Sequence, residues 1–369
     1  MIQRFFVHNY RCFENFSLDL SDKDSLLVLG RNGAGKSTLL NALRVIQGIG
    51  RGTPRVGSLV NGLDFSTGRF GVPMRFEVSA LLRDKLFAYA IAFEFPRNFR
   101  EARVVSESLT IDGVLVFQRT EADVQLESGA SFRLDWHVPA LPVIHLQPGS
   151  DSIDQLKSFF ADMVLISPVP ANMTGYSAEE TGELDKDASN IASWIFDLLG
   201  RRPAAYQDIV HYLQQTIPDL SSFGGEPRGD GGRQLQVHFE QDNADPLIVD
   251  FRQLSDGEKC FFLSAAIIAW VKHRSSSVGP LVCMWDEPDN HLSLAEVGHF
   301  IMQLRKQVRR PNQFLATSHH PEAIRRFSDE NTVVLARQSH LEPTVVRWLS
   351  EISYSGDLGE ALIRNEILP

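Results

Sequence analysis

Apolar and polar positions along the chain change period several times, and each change marks an element. Residues 2–7 and 16–20 read as short strands, followed by a turn at Asp22-Lys23-Asp24. Residues 25–29 (SLLVL) form a compact apolar run, the pattern of a strand buried on both faces in a parallel sheet. A glycine-rich turn follows, then a helix from Lys36 to about Gln47. Residues 48–72 carry many glycines and little periodicity and read as loop. From 74 to about 146 the chain is β-rich, with segments at 75–82, 88–95, 108–111, 114–119 and 131–136 and a hairpin turn at Asp112-Gly113. This stretch predicts an antiparallel sheet inserted after the first helix. Residues 150–220 look mainly helical, with helices over 188–199 and 204–216 and a proline-rich break at 167–170. Residues 224–232 read as a flexible hairpin or loop, and 235–239 and 247–251 as strands. From Leu254 the order returns to helix, strand, helix, strand. Such an order predicts an α/β fold whose parallel core is split by a long insertion.

One loop carries specific chemistry. Gly30-Arg31-Asn32-Gly33-Ala34-Gly35-Lys36-Ser37 fits G-x-x-x-x-G-K-[ST] at every position, after an apolar strand and before an amphipathic helix. Glycines let the backbone curl so that successive N–H groups face a phosphate, and the helix N-terminus adds about half a positive charge. Asn32, Gly33, Ala34, Gly35, Lys36, Ser37 and Thr38 are therefore expected to bind ATP. Lys36 would reach the β- and γ-phosphates, the Ser37 hydroxyl would bind magnesium, and Thr38 would sit near the α-phosphate. An ordinary glycine turn before a helix has no need of a lysine at its end.

Three further segments fit the same chemistry. Leu254-Ser255-Asp256-Gly257-Glu258-Lys259 precedes an apolar helix over 260–271. Ser255 and Glu258 have capping-box spacing, which fixes a helix start and needs no ligand. The same capped end, with Gly257 at its tip, also presents a hydroxyl, N–H groups and a positive dipole to a phosphate. The apolar strand at 280–285 ends in Asp286-Glu287. Adjacent acids at the end of a buried strand need a cation or a water to face them. Asp286 is expected to hold Mg2+ through water and Glu287 to polarise the attacking water. A last apolar strand, 313–317, runs into Ser318-His319-His320-Pro321. His319 is expected to meet the γ-phosphate and the attacking water, with His320 a structural neighbour.

Composition narrows the class without changing it. The chain has 369 residues, enough for one large domain or two ordinary ones, with 43% hydrophobic and 22% charged residues. Its net charge of −10 argues against a nucleic-acid coat or a generic membrane-surface binder, while leaving room for a local basic groove. Cys12, Cys260 and Cys283 make neither a CxxC pair nor a zinc spacing, and Cys260 and Cys283 sit in apolar runs, as buried thiols do. No run approaches the ~18 apolar residues of a membrane span, and residues 1–13 lack the apolar segment of a signal peptide. The expected location is the cytoplasm.

Together these segments resemble the ABC ATPase superfamily, whose order is P-loop, signature, acidic strand and histidine. The resemblance is closest to the soluble OLD/RecF/SMC-like branch, the prokaryotic "AAA family ATPases" that include ATPase subunits of anti-phage defence systems. Residues 7–13 (VHNYRCF) resemble that group's N-terminal N-[FY]-R-x-F element, which assigns Arg11 to the ATP site. Residues 254–259 resemble its LSDGEK signature, 286–292 its DEPE-x-x-L motif and D-loop, and 317–321 its TTHSP element; Glu107-Ser108-Leu109 is similar to the group as well. Asp289 stands where the group usually has Glu, and Ser293 where it often has His. Gln147 and residues 167–172 are both candidates for the Q-loop.

The resemblance implies a P-loop ABC-ATPase head with a parallel core sheet, an inserted antiparallel β-sheet and a helical insertion. The expected division is an ATPase core of 1–73 with 233–369, a β-rich subdomain at 74–146, and a helical insertion or lid at 147–232. It also implies a homodimer with two ATP molecules at its interface. Ser255, Asp256, Gly257 and Glu258 of one copy would complete the site of the other, and Lys36, Glu287 and His319 would form the catalytic set. Many OLD-like relatives carry a nuclease domain after the ATPase. About fifty residues follow His319, too few for such a domain, so a nuclease or toxin effector is expected on a separate chain. The leading expectation is therefore a regulatory ATPase of a defence system. The alternative is a RecF-like repair ATPase that binds DNA directly, with Arg201-Arg202, Arg309-Arg310 and Arg325-Arg326 lining a groove.

Overall fold

An N-terminal hairpin forms one edge of an eight-stranded antiparallel sheet. The computed structural model describes residues 1–97, 99–144, 152–242, 244–274, 279–318 and 321–354, with 361, 364 and 367. The strands β1 (Ile2–His8), β2 (Phe16–Asp19), β4 (Met74–Leu82), β5 (Lys85–Glu94), β6 (Arg103–Ile111), β7 (Val114–Thr120), β8 (Asp123–Leu126) and β9 (Ser131–Arg133) form one antiparallel sheet in the order β2-β1-β4-β5-β6-β7-β8-β9. A second sheet takes β3 (Ser25–Gly30), β10 (Val164–Ile166), β15 (Val282–Asp286), β16 (Gln313–Thr317), β17 (Thr332–Ala336) and β18 (Val345–Trp348) in the order β10-β15-β16-β3-β17-β18. Within it β16, β3 and β17 are parallel and β18 joins β17 antiparallel. A smaller antiparallel sheet joins β11 (Tyr176–Ser177), β12 (Leu220–Pro227), β13 (Arg233–Phe239) and β14 (Leu247–Asp250) around β13. The helices are α1 (Lys36–Gly50), α2 (Ser152–Ala161), α3 (Ile191–Arg201), α4 (Ala205–Gln214), α5 (Asp256–His273), α6 (Leu294–Gln307) and the single turn α7 (Pro321–Ile324).

The chain divides into two compact units, Met1–Leu165 with Ser276–Met284 and Arg309–Pro369, and Ile166–Ser275 with Trp285–Val308. In the first unit the strand alternation is that of a sheet with one buried face. On β4, Met74, Phe76, Val78, Ala80 and Leu82 point inward, while Arg75 and Leu81 point out. One apolar core joins that face to α1, α2 and the inner strands of the second sheet, through Phe13, Leu39, Leu43, Ile46, Phe160 and Leu315 among others. Buried amides fasten the layers. Gln47 Nε2 donates to Met163 O (2.5 Å). Gln313 accepts from Ile2 N (2.7 Å) and donates to Ile2 O and Lys23 O (2.8 and 3.0 Å), so it ties the start of β16 to the start of β1.

Glu107 and Arg119 are both buried, 3.8 Å apart, on the neighbouring strands β6 and β7. The Glu107 carboxylate accepts from Tyr89 Oη (2.9 Å) and from Ala140 N and Leu141 N (2.6 and 2.8 Å). Burial pushes its pKa up, against the pull of these bonds and of Arg119. Arg119 in turn donates to Glu121 O, Val138 O and Asp135 O. The pair therefore pins residues 135–141 to the sheet. Replacing Arg119 by Met leaves a buried carboxylate without its cation, and is expected to cost about 3–5 kcal/mol in unfolding free energy. Urea denaturation measures this; a loss below ~1 kcal/mol would show that the network carries little of the stability.

In the second unit the helices of the insertion pack on the signature helix. Tyr212 Oη and Ser264 Oγ are 3.0 Å apart between α4 and α5, and Asp208 of α4 takes Lys272 and His273 of α5 at 2.6 and 2.5 Å. Trp194 of α3 meets Trp270 of α5 edge-on, with ring centroids 5.8 Å apart. Cys12, Cys260 and Cys283 are buried free thiols, and burial pushes the last two up to about 12.

The α/β fold class holds, and several boundaries move. Residues 74–133 are not a sheet of their own. β1 pairs β4 in register from Ile2↔Ala80 to His8↔Arg75, so residues 1–19 belong to the same sheet as 74–133. The segment 147–232 is not purely helical: it contributes β10, β11 and β12. Residues 224–232, expected as a flexible hairpin or loop, form a hairpin: 224–227 lie in β12, where Gly224 and Gly225 pair with Gln236 and Leu235 of β13. Cross-strand pairing overrides the low strand propensity of glycine there. The signature helix lies in the unit of α3 and α4 rather than in that of the P-loop.

Candidate functional site

In the first unit the buried strand β3 delivers its end, Gly30, to the loop that opens α1. Gly33 (φ 81°) and Gly35 (φ 109°) hold left-handed backbone, which glycine adopts without strain. Gly35 has a second reason to be glycine: a Cβ there would lie 2.9 Å from Cys12 Sγ and from Phe13 Cε1. Helix α1 starts with no side-chain cap and no acidic residue in its first turn, so its positive end suits an anion. Lys36 is buried against the loop, its Nζ donating to Gly30 O (2.8 Å) and Arg31 O (3.5 Å). Asn32 and Ser37 are exposed, and Ala34 is buried. Thr38 Oγ1 is 3.7 Å from Cys12 Sγ. This cradle fits the phosphates of a nucleotide: curled glycine backbone, an ammonium at its centre, a hydroxyl at the exposed helix start.

Arg11 precedes Cys12, whose thiol packs against Gly35 and Thr38 of this loop. Its own side chain lies on buried Asp64 (Nε–Oδ1 2.8 Å), with the guanidinium 5.3 Å from the Tyr10 ring centroid. Asp64 also caps the turn at Asn61. Arg11 therefore already has a structural partner.

In the second unit Ser255 caps α5. Its Oγ accepts from Glu258 N (3.3 Å), while Glu258 Oε2 accepts from Ser255 N (2.7 Å). Lys259, buried, donates to Pro170 O (3.2 Å) and so ties the turn Pro170–Asn172 to the helix. A Cβ on Gly257 would stand 2.9 Å from His291 O, and His291 Nδ1 is 3.4 Å from Asp256 Oδ2. The signature and the turn after the acidic strand are thus in direct contact. Asp286 is buried at the end of β15, and Glu287 follows it with φ 54°. A non-glycine residue in left-handed backbone costs on the order of 1 kcal/mol and persists where its surroundings over-determine it. Asn290 supplies part of that frame, donating from Nδ2 to Glu287 Oε2 (2.8 Å) and from N to Glu287 O (3.2 Å).

Among the described residues no group of three or more His, Cys, Asp or Glu side chains could hold a metal alone. Magnesium needs fewer, since it keeps waters and substrate oxygens, and a Ser hydroxyl with one carboxylate is a sufficient protein share. Gln147, His319 and His320 lie outside the described residues. The other Q-loop candidate, 167–172, is tied down by Ser167 N to Lys186 O and Val169 N to Asp187 O. Cys12, Phe13, His340 and Thr344 crowd the P-loop and were not expected there. For Thr344 the pairing spans 310 residues of sequence and leaves no local signal.

These features are those of a phosphate-binding P-loop on an α/β fold. Residues 1–48 match the family described as "AAA ATPase domain", and residues 26–140 match "AAA domain, putative AbiEii toxin, Type IV TA system". No curated protein matches in sequence. Similar solved structures include the SMC head domain from Thermotoga maritima (13% identity, 93% of this chain and 98% of that one, TM-score 0.48). Another is the SmcHead bound to the C-winged helix domain of ScpA (15%, 95% and 99%, 0.46). A third is the Smc head domain with an extended coiled coil bound to the C-terminal domain of ScpA, derived from Pyrococcus furiosus (14%, 95% and 97%, 0.47). Among the described residues no helix is long and apolar enough to cross a membrane.

Proposed function

We propose that this chain binds ATP with Mg2+ and hydrolyses it as a head-to-tail pair, and that the pair controls a separate effector in anti-phage defence. The observation that carries the reading is the P-loop itself: left-handed Gly33 and Gly35, the Lys36 ammonium inside the loop, and an uncapped α1 behind it. Asn32 to Thr38 hold the phosphates, with Arg11 assigned to the nucleotide by resemblance. Ser37 and Asp286 are the residues that would hold magnesium, which would supply charge neutralisation to the phosphates. Glu287 accepts the proton of the attacking water, and His319 stabilises the γ-phosphate. Ser255, Asp256, Gly257 and Glu258 serve the ATP of the second copy. The AbiEii-type description matched by residues 26–140 supports the defence setting.

The DNA-binding alternative gains little from the arginine pairs. Arg201 is held by Asp197 (2.9 Å) and Arg310 by Asp22 (3.2 Å), and the net charge is −10.

A mixture of two inactive chains tests the shared site. Ser255→Arg blocks a signature and Lys36→Ala blocks a P-loop, and a mixed pair keeps one site with both intact. Mixing is expected to restore a substantial fraction of one site's turnover. No recovery in a verified mixed pair would remove the in-trans role of Ser255. Effector control is tested by co-purification with products of neighbouring genes, with and without ATP. Binding to none of them, together with tight DNA binding at physiological salt, would replace the proposal by the RecF-like one.

A further inference from the structure

The turn between β17 and β18 runs along the whole P-loop, within one unit. It starts where Leu335 pairs with Gly30 and packs so closely that a Cβ on Gly30 would stand 2.8 Å from Leu335 O. It ends at Thr344, which is buried. Thr344 Oγ1 donates to Ala34 O (2.8 Å), and Thr344 N donates to Cys12 O (2.9 Å). Between these ends Arg337 braces the turn from inside, donating to Glu342 O (2.7 Å) and His340 O (2.5 Å). His340 is exposed at the tip, its Nε2 3.8 Å from the point a Cβ on Gly33 would occupy.

We infer that this turn is a second wall of the nucleotide site: Thr344 positions the P-loop, and His340 is placed to meet the phosphates that the loop holds. The inference rests on the ATP-binding reading above. Its physical core is the planarity of a peptide unit. In a trans peptide the C=O and the next N–H point in opposite directions. Thr344 holds the Ala34 carbonyl toward the protein, so the Gly35 N–H is turned the other way, into the concavity of the loop. The Ala34 N–H is already used on Arg31 O (3.0 Å), which leaves the Gly35 N–H as the group whose aim Thr344 fixes. Gly35 cannot adjust by moving backward, because Cys12, Phe13 and Thr344 Oγ1 fill the space behind it. His340 contributes differently. Its exposed ring stands next to exposed Gly33, with a nitrogen able to donate to a phosphate oxygen.

The test measures ATP·Mg2+ affinity, KM, kcat and thermal stability for the wild type, Thr344→Val, Thr344→Ser and His340→Ala. Valine keeps the shape of Thr344 and removes the hydroxyl, leaving the Ala34 carbonyl buried and unmatched. A roughly three- to thirtyfold loss of ATP affinity is expected, with KM rising in step. Serine keeps the hydroxyl and is expected to restore affinity to within about twofold of wild type. His340→Ala removes an exposed side chain, so its fold is retained; it is expected to weaken ATP by a few-fold and leave adenosine binding unchanged. Wild-type affinity in Thr344→Val overturns the positioning role, as does an equal loss in Thr344→Ser, which would trace the effect to methyl packing. Unaltered ATP affinity in His340→Ala overturns the phosphate contact. A wild-type protein that binds no ATP overturns the underlying proposal and this one with it, whereas binding by wild type and all variants alike overturns only this one.

Discussion

Glu287→Gln is expected to bind ATP as the wild type does and to hydrolyse it about 10²–10⁴-fold more slowly. The substitution is nearly isosteric. A Gln at 287 still accepts from Asn290 Nδ2 through its carbonyl oxygen, so the left-handed turn after β15 keeps its frame. What is lost, on the proposed mechanism, is the carboxylate that would take the proton of the attacking water. The pair, once closed on ATP, then has no fast route to open, and the mass in solution with ATP and Mg2+ should shift from one copy to two. Single-turnover hydrolysis and light scattering read both effects. Turnover within threefold of wild type, with no change in mass, would remove Glu287 from the mechanism.

Lys36→Ala is expected to weaken ATP by roughly ten- to a hundredfold or more, and to abolish measurable turnover. The ammonium lies buried against the loop. In the structure it is satisfied by Gly30 O and Arg31 O, carbonyls that a flexible side chain leaves readily for a doubly charged phosphate. Truncation also strips Gly30 O of a donor, so a small loss of stability accompanies the loss of binding. Isothermal titration with ATP·Mg2+ separates the two when paired with a melting curve. Full affinity in a folded Lys36→Ala protein would show that the loop serves another purpose.

Much of the fold was legible in the sequence because its strongest signals are local. Residues 25–29 are apolar without a break, since β3 is buried on both faces between β16 and β17. The Ser255/Glu258 spacing produced the capping box it implies. Pairing between distant segments left no such trace. Nothing in residues 2–8 says that they join β4 some 70 residues later, because an alternating strand pairs equally well with any neighbour of the same pattern. The unit boundary was missed for a related reason. The motifs group residues by chemistry, whereas the contacts of Asp208, Tyr212 and Trp194 with α5 group them by packing. At the candidate site, the glycines and the lysine were readable from local rules. Thr344 was not, because its bond to Ala34 spans 310 residues and any β-edge threonine looks the same in sequence.

The absence of space at Gly257 has a mechanical meaning. His291 O stands so close that a methyl group would not fit, and His291 itself is four residues from Glu287 on the same tight turn, with left-handed backbone at both ends. Stiff turns that touch without clearance transmit displacement instead of absorbing it. A shift of the acidic turn by a few tenths of an ångström is therefore expected to be felt at the first turn of α5. On the proposed reading, the residue that handles the water and the surface that meets a second copy share this one contact. A bulkier residue at 257 would jam that contact, so Gly257→Ala should impair communication between hydrolysis and pairing more than it impairs ATP binding.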